Sequence, residues 1–417
     1  MNIYIETYGC TANKCDESII KGLLLKHFFK IMNHVEKADI IIILTCTVIN
    51  TTEQRMLSRL RYFKNFKKKI IVTGCMASIQ SKLIKSILPD SIILPPYYIH
   101  HIVDIINEGE KIKYKLIDKT KLSKYFNEVT ASILISEGCD FSCSYCITSL
   151  ARGKLRSFPI NEIKRDIDLA LMQGCKEIQI TSQDASSYGL NSKSNLGILL
   201  DNICKIRGEY RIRVGMMNPY TVQKNLYSII DGFNDDKIFK FIHLPVQSGD
   251  DIILEKMNRK YNVTDFFNII NNFKKKFPRI TISTDIIVGF PTETVEQFNK
   301  SINLIEKLRP DIVNITRFSA RPNTKAKKFS GRIKTEDVKN RSRLLSKISK
   351  EISYNNNKLH IGEKYRVLTT KIGKNKTIVG RTDNYKPVIL KEEIGLGKFI
   401  KVEITQSTQN YLVGIII

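Results

Sequence analysis

The sequence is poor in acidic residues and has no apolar run long enough to cross a membrane. Its 417 residues include only 41 Asp and Glu against 67 Lys and Arg, which gives a net charge of +26. Such an excess favours a polyanionic partner, most often a nucleic acid. The longest apolar run, 38–49, is interrupted by Thr45 and Thr47 and falls short of the roughly 18 residues of a membrane span. We therefore expect no membrane segment.

We expect neither a secretory signal nor a disulfide framework. The chain opens Met-Asn-Ile-Tyr-Ile-Glu, which has no basic flank ahead of an apolar core. We therefore expect a cytoplasmic protein, and its nine cysteines, an odd number, must have a use in a reducing compartment. An apolar fraction of 42% excludes general disorder, and the length is enough for two or three domains.

Residues 1–120 alternate short strands with helices. β-branched runs at 3–7, 39–45 and 70–73 are each followed by a helix-like stretch. This alternation predicts a parallel-sheet α/β domain with helices on both faces. Asn50 and Glu53 have the spacing of a capping box, so we expect them to open the second helix.

Residues 125–350 contain six further strand–helix alternations, followed by a basic stretch. Strands are expected near 132–136, 177–181, 211–214, 239–244, 281–288 and 311–316, with helices such as Ile160–Met172 between them. Six such units predict a full or partial TIM-like (β/α) barrel. The stretch 321–350 is a basic helical linker, with eleven Lys and Arg against Glu336 and Asp337 alone.

Residues 355–417 change to short strands. Runs at 365–370, 377–381, 387–390, 399–404 and 411–417 are punctuated by glycines. Five strands of this length predict a small β-barrel. From Lys358 onward the segment carries eleven Lys and Arg against five acids, which suits contacts with RNA phosphates.

Cys139, Cys143 and Cys146 form a CxxxCxxC cluster directly after the first strand of the predicted barrel. Three thiolates on one loop suit a 4Fe–4S cluster and leave one of its irons without a protein ligand. An open metal position is typical of a catalytic site. The alternative is a zinc knuckle, but zinc usually takes four protein ligands, and no nearby CxxC or His completes a set.

Cys10, Cys46 and Cys75 each follow one of the three strands of the first block. The strands of a parallel sheet all point the same way, so these thiols should meet at its carboxyl edge, where such folds bind ligands. Gly9 and Gly74 would let the backbone approach a bulky group. We interpret this trio as a second iron–sulfur site; the alternative is three buried cysteines acting as small apolar residues.

The three other cysteines, Cys15, Cys175 and Cys204, lack such an arrangement, and we expect free thiols. Two arginines just past the cluster loop, Arg152 and Arg156, could pair with substrate or cofactor anions or be exposed.

The cluster loop, with Tyr145 before its last cysteine, resembles that of the radical S-adenosylmethionine (SAM) enzymes. The trio Cys10, Cys46 and Cys75 and four further segments narrow the resemblance to the methylthiotransferase family. The segments are 244–249, 257–261, 284–294 and 318–324. Residues 151–157 and 213–219 resemble the archaeal and eukaryotic branch, which modifies N6-threonylcarbamoyladenosine beside the tRNA anticodon. The terminal barrel would correspond to the family's TRAM domain.

The resemblance implies chemistry with two 4Fe–4S clusters and S-adenosyl-L-methionine. The cluster on the CxxxCxxC loop would bind SAM and cleave it to a 5′-deoxyadenosyl radical, which removes hydrogen from carbon 2 of the adenine. The cluster on the other three cysteines would present the sulfur, already methylated by a second SAM molecule. All six cysteines would thus be both metal ligands and catalytic residues, and the reaction needs an electron donor and a sulfur source that the sequence does not identify.

Side chains at the barrel end where active sites lie are candidates for binding SAM. The candidates are Tyr145, Gln183, Arg213, Gln247 and Asp285. Each could equally be a packed or hydrogen-bonded residue without a ligand. Three other functions stay open: methylthiolation of prenylated adenosine in tRNA, methylthiolation of a ribosomal protein, and RNA binding with iron–sulfur clusters but no turnover.

Overall fold

The amino-terminal unit is a parallel sheet covered by helices on both faces. A computed structural model describes residues 1–109 and 117–417. The elements of this unit are β1 (Asn2–Thr7), α1 (Thr11–Lys26), β2 (Lys30–Met32), β3 (Ile40–Thr45), α2 (Asn50–Lys64), β4 (Lys69–Gly74), α3 (Cys75–Ile79), α4 (Ser81–Ile87), β5 (Ile92–Ile93) and α5 (Ile102–Glu108), with 3-10 turns at Val35–Lys37 and Pro96–His101.

The sheet has the strand order β2-β1-β3-β4-β5, and all of its pairs are parallel. β3 shows why it lies in the middle. Its alternate residues Ile40, Ile42 and Leu44 pack into one core and Ile41 and Ile43 into the other, so an unbroken apolar run is buried on both faces. The strand order reverses between β1 and β3, which opens a crevice at their carboxyl ends.

The central unit is a partial (β/α) barrel. Its elements are β6 (Thr130–Leu134), β7 (Ser136–Glu137), α6 (Thr148–Arg152), β8 (Arg156–Ser157), α7 (Ile160–Met172), β9 (Glu177–Thr181), α8 (Leu196–Cys204), β10 (Arg211–Val214), α9 (Pro219–Lys224), α10 (Leu226–Gly232), β11 (Phe241–His243), α11 (Asp251–Lys256), α12 (Val263–Lys276), β12 (Thr281–Val288), α13 (Val295–Leu308), β13 (Ile312–Arg317) and α14 (Thr335–Lys358), with 3-10 turns at Lys119–Lys121, Ala185–Ser187 and Lys325–Lys328.

Six parallel strands form the barrel as two sheets of three, β6-β9-β10 and β11-β12-β13. The sheets meet where β10 lies beside β11 and Ile212 bridges Ile238. The first predicted strand was placed two residues late, because Ser136 and Glu137 leave the sheet to pair with Arg156 and Ser157 in a short antiparallel hairpin. That hairpin brackets the CxxxCxxC loop at the carboxyl ends of the strands.

The carboxyl-terminal unit is a closed barrel of the order β14-β15-β16-β18-β17. Its strands are β14 (Lys364–Ile372), β15 (Ile378–Arg381), β16 (Pro387–Leu390), β17 (Phe399–Ser407) and β18 (Leu412–Ile416), with a 3-10 turn at Lys374–Lys376. The predicted fold class, an α/β sheet unit, a partial TIM-like barrel and a small β-barrel, is confirmed.

The terminal barrel docks under the amino ends of the central strands. The hydroxyl of Tyr385 donates to Glu177 at the start of β9 (2.8 Å), and the Tyr385 ring packs against Phe241 at the start of β11. Asp383 pairs with Arg211 at the start of β10 (2.6 Å). The opposite end of the central barrel, with the carboxyl ends of its strands, is therefore left to the amino-terminal unit and to ligands.

Residues 1–109 and 117–417 contain no helix with both the length and the apolar character that a membrane span requires.

Candidate active site

The CxxxCxxC loop is tied to the barrel through its backbone. Gly138 has a φ of +88°, and a Cβ at this position would lie 1.9 Å from the carbonyl oxygen of Lys154, so only glycine fits. The amide of Cys139 donates to the carbonyl of Gly153 (2.9 Å), and that of Ser144 donates to Met257 (3.0 Å). These bonds place the three thiols over the carboxyl ends of the strands.

The three cysteines of this loop are half-buried and lie close enough to interact electrostatically. Burial raises the pKa of Cys139 to about 12, and Cys143 and Cys146 interact electrostatically with it. Three soft thiols on one loop are the ligands that an iron–sulfur cube takes, one thiolate to an iron.

Arg259 adds a cation to this thiol set. Its Nη1 lies 3.4 Å from the Cys143 Sγ, and its Nη2 donates to the side-chain oxygen of Asn218 (3.0 Å). Burial raises the pKa of the Cys143 thiol, and the Arg259 charge opposes that rise. The contact between Arg259 and Cys143 was not predicted from the sequence, where residues 257–261 carry only the family resemblance. An arginine inside that motif, with no role assigned to it, was the one sequence feature that pointed to the contact.

Two of the predicted SAM-binding side chains hold other parts of the site. The side-chain oxygen of Gln183 accepts from the amide of Gly138 (2.6 Å) and so braces the cluster loop. Tyr145 packs into a small apolar cluster with Met257 and Phe290, as a core aromatic would.

The other three predicted side chains line the barrel at different depths. Asp285, on β12, accepts from His243 and Asn314 (both 2.8 Å). Gln247 has a φ of +75°, a conformation rare outside glycine, and its backbone is bonded to β12 on both sides. Arg213 lies lower, with its guanidinium over the ring of Tyr385 of the terminal barrel (5.5 Å).

The second cysteine trio lies at the carboxyl edge of the amino-terminal sheet. Cys10 follows β1 and precedes α1, Cys46 directly follows β3, and Cys75 begins α3 directly after β4. Cys10 is exposed, whereas Cys46 and Cys75 are buried. Burial raises the pKa of Cys46 to about 11, and Cys75 and Cys10 interact with it electrostatically. The three thiols that the sequence placed at equivalent strand ends are thus neighbours in space.

The glycines before two of these cysteines let neighbouring strand ends pack closely. A Cβ on Gly9, whose φ is +99°, would lie 2.8 Å from the Cβ and 3.1 Å from the Sγ of Cys46. A Cβ on Gly74, whose φ is +87°, would lie 2.3 Å from the carbonyl oxygen of Thr45. That these glycines also let the backbone approach a bulky group stays a prediction.

The two cysteine trios face each other across one short helix. α6 begins two residues after Cys146 and packs against α3, which begins with Cys75. The hydroxyl of Thr11, next to Cys10, lies 2.6 Å from that of Thr181 at the end of β9. The crevice of the amino-terminal sheet therefore opens toward the mouth of the central barrel.

Arg152, at the end of α6, is neither exposed nor on a ligand-facing loop as the sequence suggested. It is 1% exposed and bonds to residues of both units: Asp16, Glu137 and Asn13. Arg156 behaves as expected for a surface arginine, with its side chain 42% exposed and 3.8 Å from Glu137. Sequence separation hid the Arg152 network, because Asn13 and Arg152 lie 139 positions apart.

The predicted capping box at the start of α2 is wrong. The cap residue is Ile49, which has no capping side chain, and Asn50 is already helical. Glu53 instead accepts from Thr47, Gln80 and Arg321 beside the Cys46 strand end. Arg321 comes from the loop after β13, so this carboxylate joins the amino-terminal unit to the barrel mouth rather than capping its own helix.

The three cysteines for which no ligand role is predicted, Cys15, Cys175 and Cys204, have free thiols and lie outside both trios. Cys15 and Cys204 are buried, and the thiol of Cys175 donates to the carbonyl of Glu128 (3.1 Å).

Three family models match consecutive parts of the chain. They are the uncharacterized protein family UPF0004 over residues 2–94, the radical SAM superfamily over residues 133–305 and the TRAM domain over residues 358–417. A protein of Archaeoglobus fulgidus described as a probable threonylcarbamoyladenosine tRNA methylthiotransferase is 42% identical over 427 residues, which cover 99% of this chain and 98% of the relative. The chain belongs to the tRNA methylthiotransferase family.

Other members of the methylthiotransferase family are more distant. The human threonylcarbamoyladenosine tRNA methylthiotransferase is 31% identical, covering 99% of this chain and 73% of the human protein. The tRNA-2-methylthio-N(6)-dimethylallyladenosine synthase of Thermodesulfovibrio yellowstonii is 34% identical over the whole of this chain and 98% of the relative. The predicted family is confirmed, and with it a transferase whose radical SAM domain uses an iron–sulfur cluster and SAM.

Solved radical SAM enzymes share the fold of this methylthiotransferase. The methyltransferase TsrM of Kitasatospora setae superposes with a TM-score of 0.59 at 12% identity, covering 78% of this chain and 73% of TsrM. OxsB, a cobalamin-dependent SAM radical enzyme, superposes with a TM-score of 0.53 at 10% identity, covering 83% of this chain and 56% of OxsB. At such identities the likeness concerns the fold.

Proposed function

We propose that this chain adds a methylthio group to carbon 2 of N6-threonylcarbamoyladenosine at tRNA position 37, in the cytoplasm. The observation that carries the proposal is the placement of two cysteine trios on either side of α6, one at a sheet edge and one at the mouth of a radical SAM barrel. A reaction that joins a radical step to a sulfur transfer needs both sites to reach one adenine.

Each trio suits an open iron–sulfur cluster. Three soft thiolates are available at each site, and three ligands leave one iron of a 4Fe–4S cube free for another molecule. When bound, the cluster on Cys139, Cys143 and Cys146 supplies the electron that cleaves SAM, and the cluster on Cys10, Cys46 and Cys75 supplies the sulfur. The chain holds the thiols in place through its strand ends and brings the two trios together by packing α3 against α6.

The side chains proposed to bind SAM differ in their position relative to the barrel interior and the cluster loop. Asp285 and Gln247 lie on or against β12 inside the barrel, and Gln183 stands beside the cluster loop. Tyr145 would present a ring edge from its apolar cluster. Arg213 would have to turn away from Tyr385 to reach a ligand at the mouth.

The choice of the threonylcarbamoyl substrate follows the relatives. Four archaeal relatives described with that substrate are 39–42% identical to this chain, and the dimethylallyladenosine synthase is 34% identical. A protein substrate is disfavoured by the charge of +26, because ribosomal proteins are themselves cationic.

A basic stripe on α14 supports tRNA as the partner. Lys339, Arg343, Lys347, Lys350 and Lys358 follow each other at helical spacing, so they share one side of the helix. The opposite side, with Leu345 at its centre, is buried. Twenty-four residues span about 36 Å, enough to follow the backbone of an RNA stem from the barrel mouth toward the terminal barrel.

The decisive experiment is mass spectrometry of tRNA nucleosides from cells that lack the gene. We expect 2-methylthio-N6-threonylcarbamoyladenosine to disappear and to return with the wild-type chain or with Cys204→Ala, but not with Cys75→Ala or Cys139→Ala. Persistence of the nucleoside in the deletion strain would refute the substrate, and loss of the methylthio-prenyl nucleoside instead would select the alternative.

The cluster count has its own test. Anaerobically reconstituted protein should hold about eight irons, two cubes of four, and about four after Cys10, Cys46 and Cys75 are replaced by Ala. An unchanged iron count in that triple variant would remove the second site.

The RNA surface is tested by the salt dependence of tRNA binding. Replacing Arg343, Lys347 and Lys350 by Gln should lower the slope of log K against log salt by up to about 0.9 for each lost phosphate contact. As a control, the same change at three exposed lysines away from α14, at positions 26, 64 and 193, should leave the slope in place. Equal slopes for both variants would show that the stripe does not touch RNA.

A further inference from the structure

Arg152 occupies a position between the two cysteine trios. It is the last residue of α6, the helix that starts just after the CxxxCxxC loop, and it is 1% exposed. α6 packs against α3, the helix that Cys75 begins, and the Arg152 charge acts on both Cys75 and Cys10. A residue of the radical SAM unit thus supplies a cation to the trio of the other unit.

The side chains that bond to Arg152 do not accept from every N–H donor of its guanidinium. Nη1 lies 2.7 Å from Asp16 and 2.9 Å from Glu137, and Nη2 donates to Asn13 (2.7 Å). Nε is buried and has no hydrogen-bond partner among residues 1–109 and 117–417. A buried N–H without an acceptor is unfavourable, so an acceptor from outside the chain would relieve it.

The charge of the network points to the kind of acceptor. Arg152 and Lys119 are balanced by Asp16 and Glu137, so the four side chains are neutral together. Three thiolates outweigh the two positive charges of an oxidised 4Fe–4S core, and a sulfide or thiolate on the free iron adds further negative charge. An anion in a buried site requires a nearby donor and cation.

We propose that Arg152 is a positioning residue that donates its Nε–H to sulfur at the Cys10, Cys46 and Cys75 site and stabilises an anionic sulfur ligand there. This inference rests on the proposed function, because it requires a cluster on that trio. It assigns to the chain a binding determinant for the sulfur to be transferred, and it explains why the end of α6 is buried against Cys75.

The test uses the full chain with only the second cluster. In a background where Cys139, Cys143 and Cys146 are Ala, the reconstituted protein is titrated with sodium sulfide and its cluster potential is followed by electron paramagnetic resonance. Arg152→Met should raise the sulfide dissociation constant at least tenfold and shift the potential to more negative values, because the reduced cluster loses a cation. Lys154→Met removes one positive charge from an exposed position two residues from Arg152 and should change neither quantity.

Arg152→Lys covers the case in which the Met variant fails to fold or to load iron. The lysine keeps the positive charge but lacks the planar set of N–H donors of the guanidinium, including Nε–H. We therefore expect intact iron content with weakened sulfide binding. Sulfide affinity equal to that of the background, in an iron-loaded Met or Lys variant, would overturn the proposal. No iron in the background itself would refute the second cluster, a result distinct from failure at Arg152.

Discussion

Lys119 offers a sharp test of how the amino-terminal unit is joined to the barrel. Its side chain is 1% exposed, and its Nζ bonds to Asp16 of α1 (2.9 Å) and to Glu137 of β7 (2.8 Å). Lys119→Met keeps the volume of the stem but leaves two buried carboxylates to share the guanidinium of Arg152. Removing one partner of a buried ion pair costs about 3–5 kcal/mol, so we expect a destabilisation of that size where the units meet.

The assay is amide hydrogen exchange followed by mass spectrometry on the full chain. A loss of this size should speed exchange in peptides that cover α1 and β7 by about a hundredfold or more, because local opening becomes easier. Lys121→Met, at an exposed position two residues away, is the matched control and should leave exchange unchanged. Adding Asp16→Asn to Lys119→Met restores the charge balance and should recover much of the protection.

Two results would refute this reasoning about Lys119. Exchange in the single variant within about fivefold of wild type would show that the ion pairs contribute little. Exchange in the double variant as fast as in the single variant would show that the unpaired charge is not the cause.

Two further predictions concern pH and backbone strain. Burial raises the pKa of Asp166 from 3.8 to about 6 despite its pairing with Lys124. The stability that this group contributes is therefore complete below about pH 4 and is lost as the pH rises through about 6. The wild-type free energy of unfolding should fall by about 3 kcal/mol across that range, and Asp166→Asn should remove this fall. Gly9→Ala adds a Cβ in a positive-φ position 2.8 Å from Cys46 and should cost about 1–3 kcal/mol and lower the iron bound at the second trio.

Matched variants separate these effects from general damage. Asp168→Asn, two residues away and exposed, should keep the wild-type pH profile of unfolding, and a profile of Asp166→Asn that still falls would contradict the assignment. Gly174→Ala shares the positive φ, but its Cβ would meet no atom of the described residues within 4 Å, so this variant measures backbone strain alone. Equal iron loss in both glycine variants would show that the contact with Cys46 is unimportant.

Much of the fold was predictable because it depends on local periodicity. The strands at 177–181, 211–214 and 281–288 and the helix Ile160–Met172 have the predicted bounds, since apolar alternation and helical spacing are properties of adjacent residues. The capping box at Asn50 was not predictable in this way. Glu53 accepts a hydrogen bond from Arg321, 268 positions further along the chain, so it forms a tertiary ion pair instead of capping the helix.

The amino-acid sequence by itself determined the chemistry and the class of partner. Cysteine spacing at strand ends predicted two thiol trios, and the excess of Lys and Arg predicted a polyanion, because both depend on residue type and position along the chain. The tertiary structure alone decided how the units are joined: the burial of Arg152 and Lys119, the place of Arg259 beside Cys143, and the docking of Tyr385 under the barrel. Each joins residues that lie far apart in sequence, and only the packing of one unit against another brings them within bonding distance.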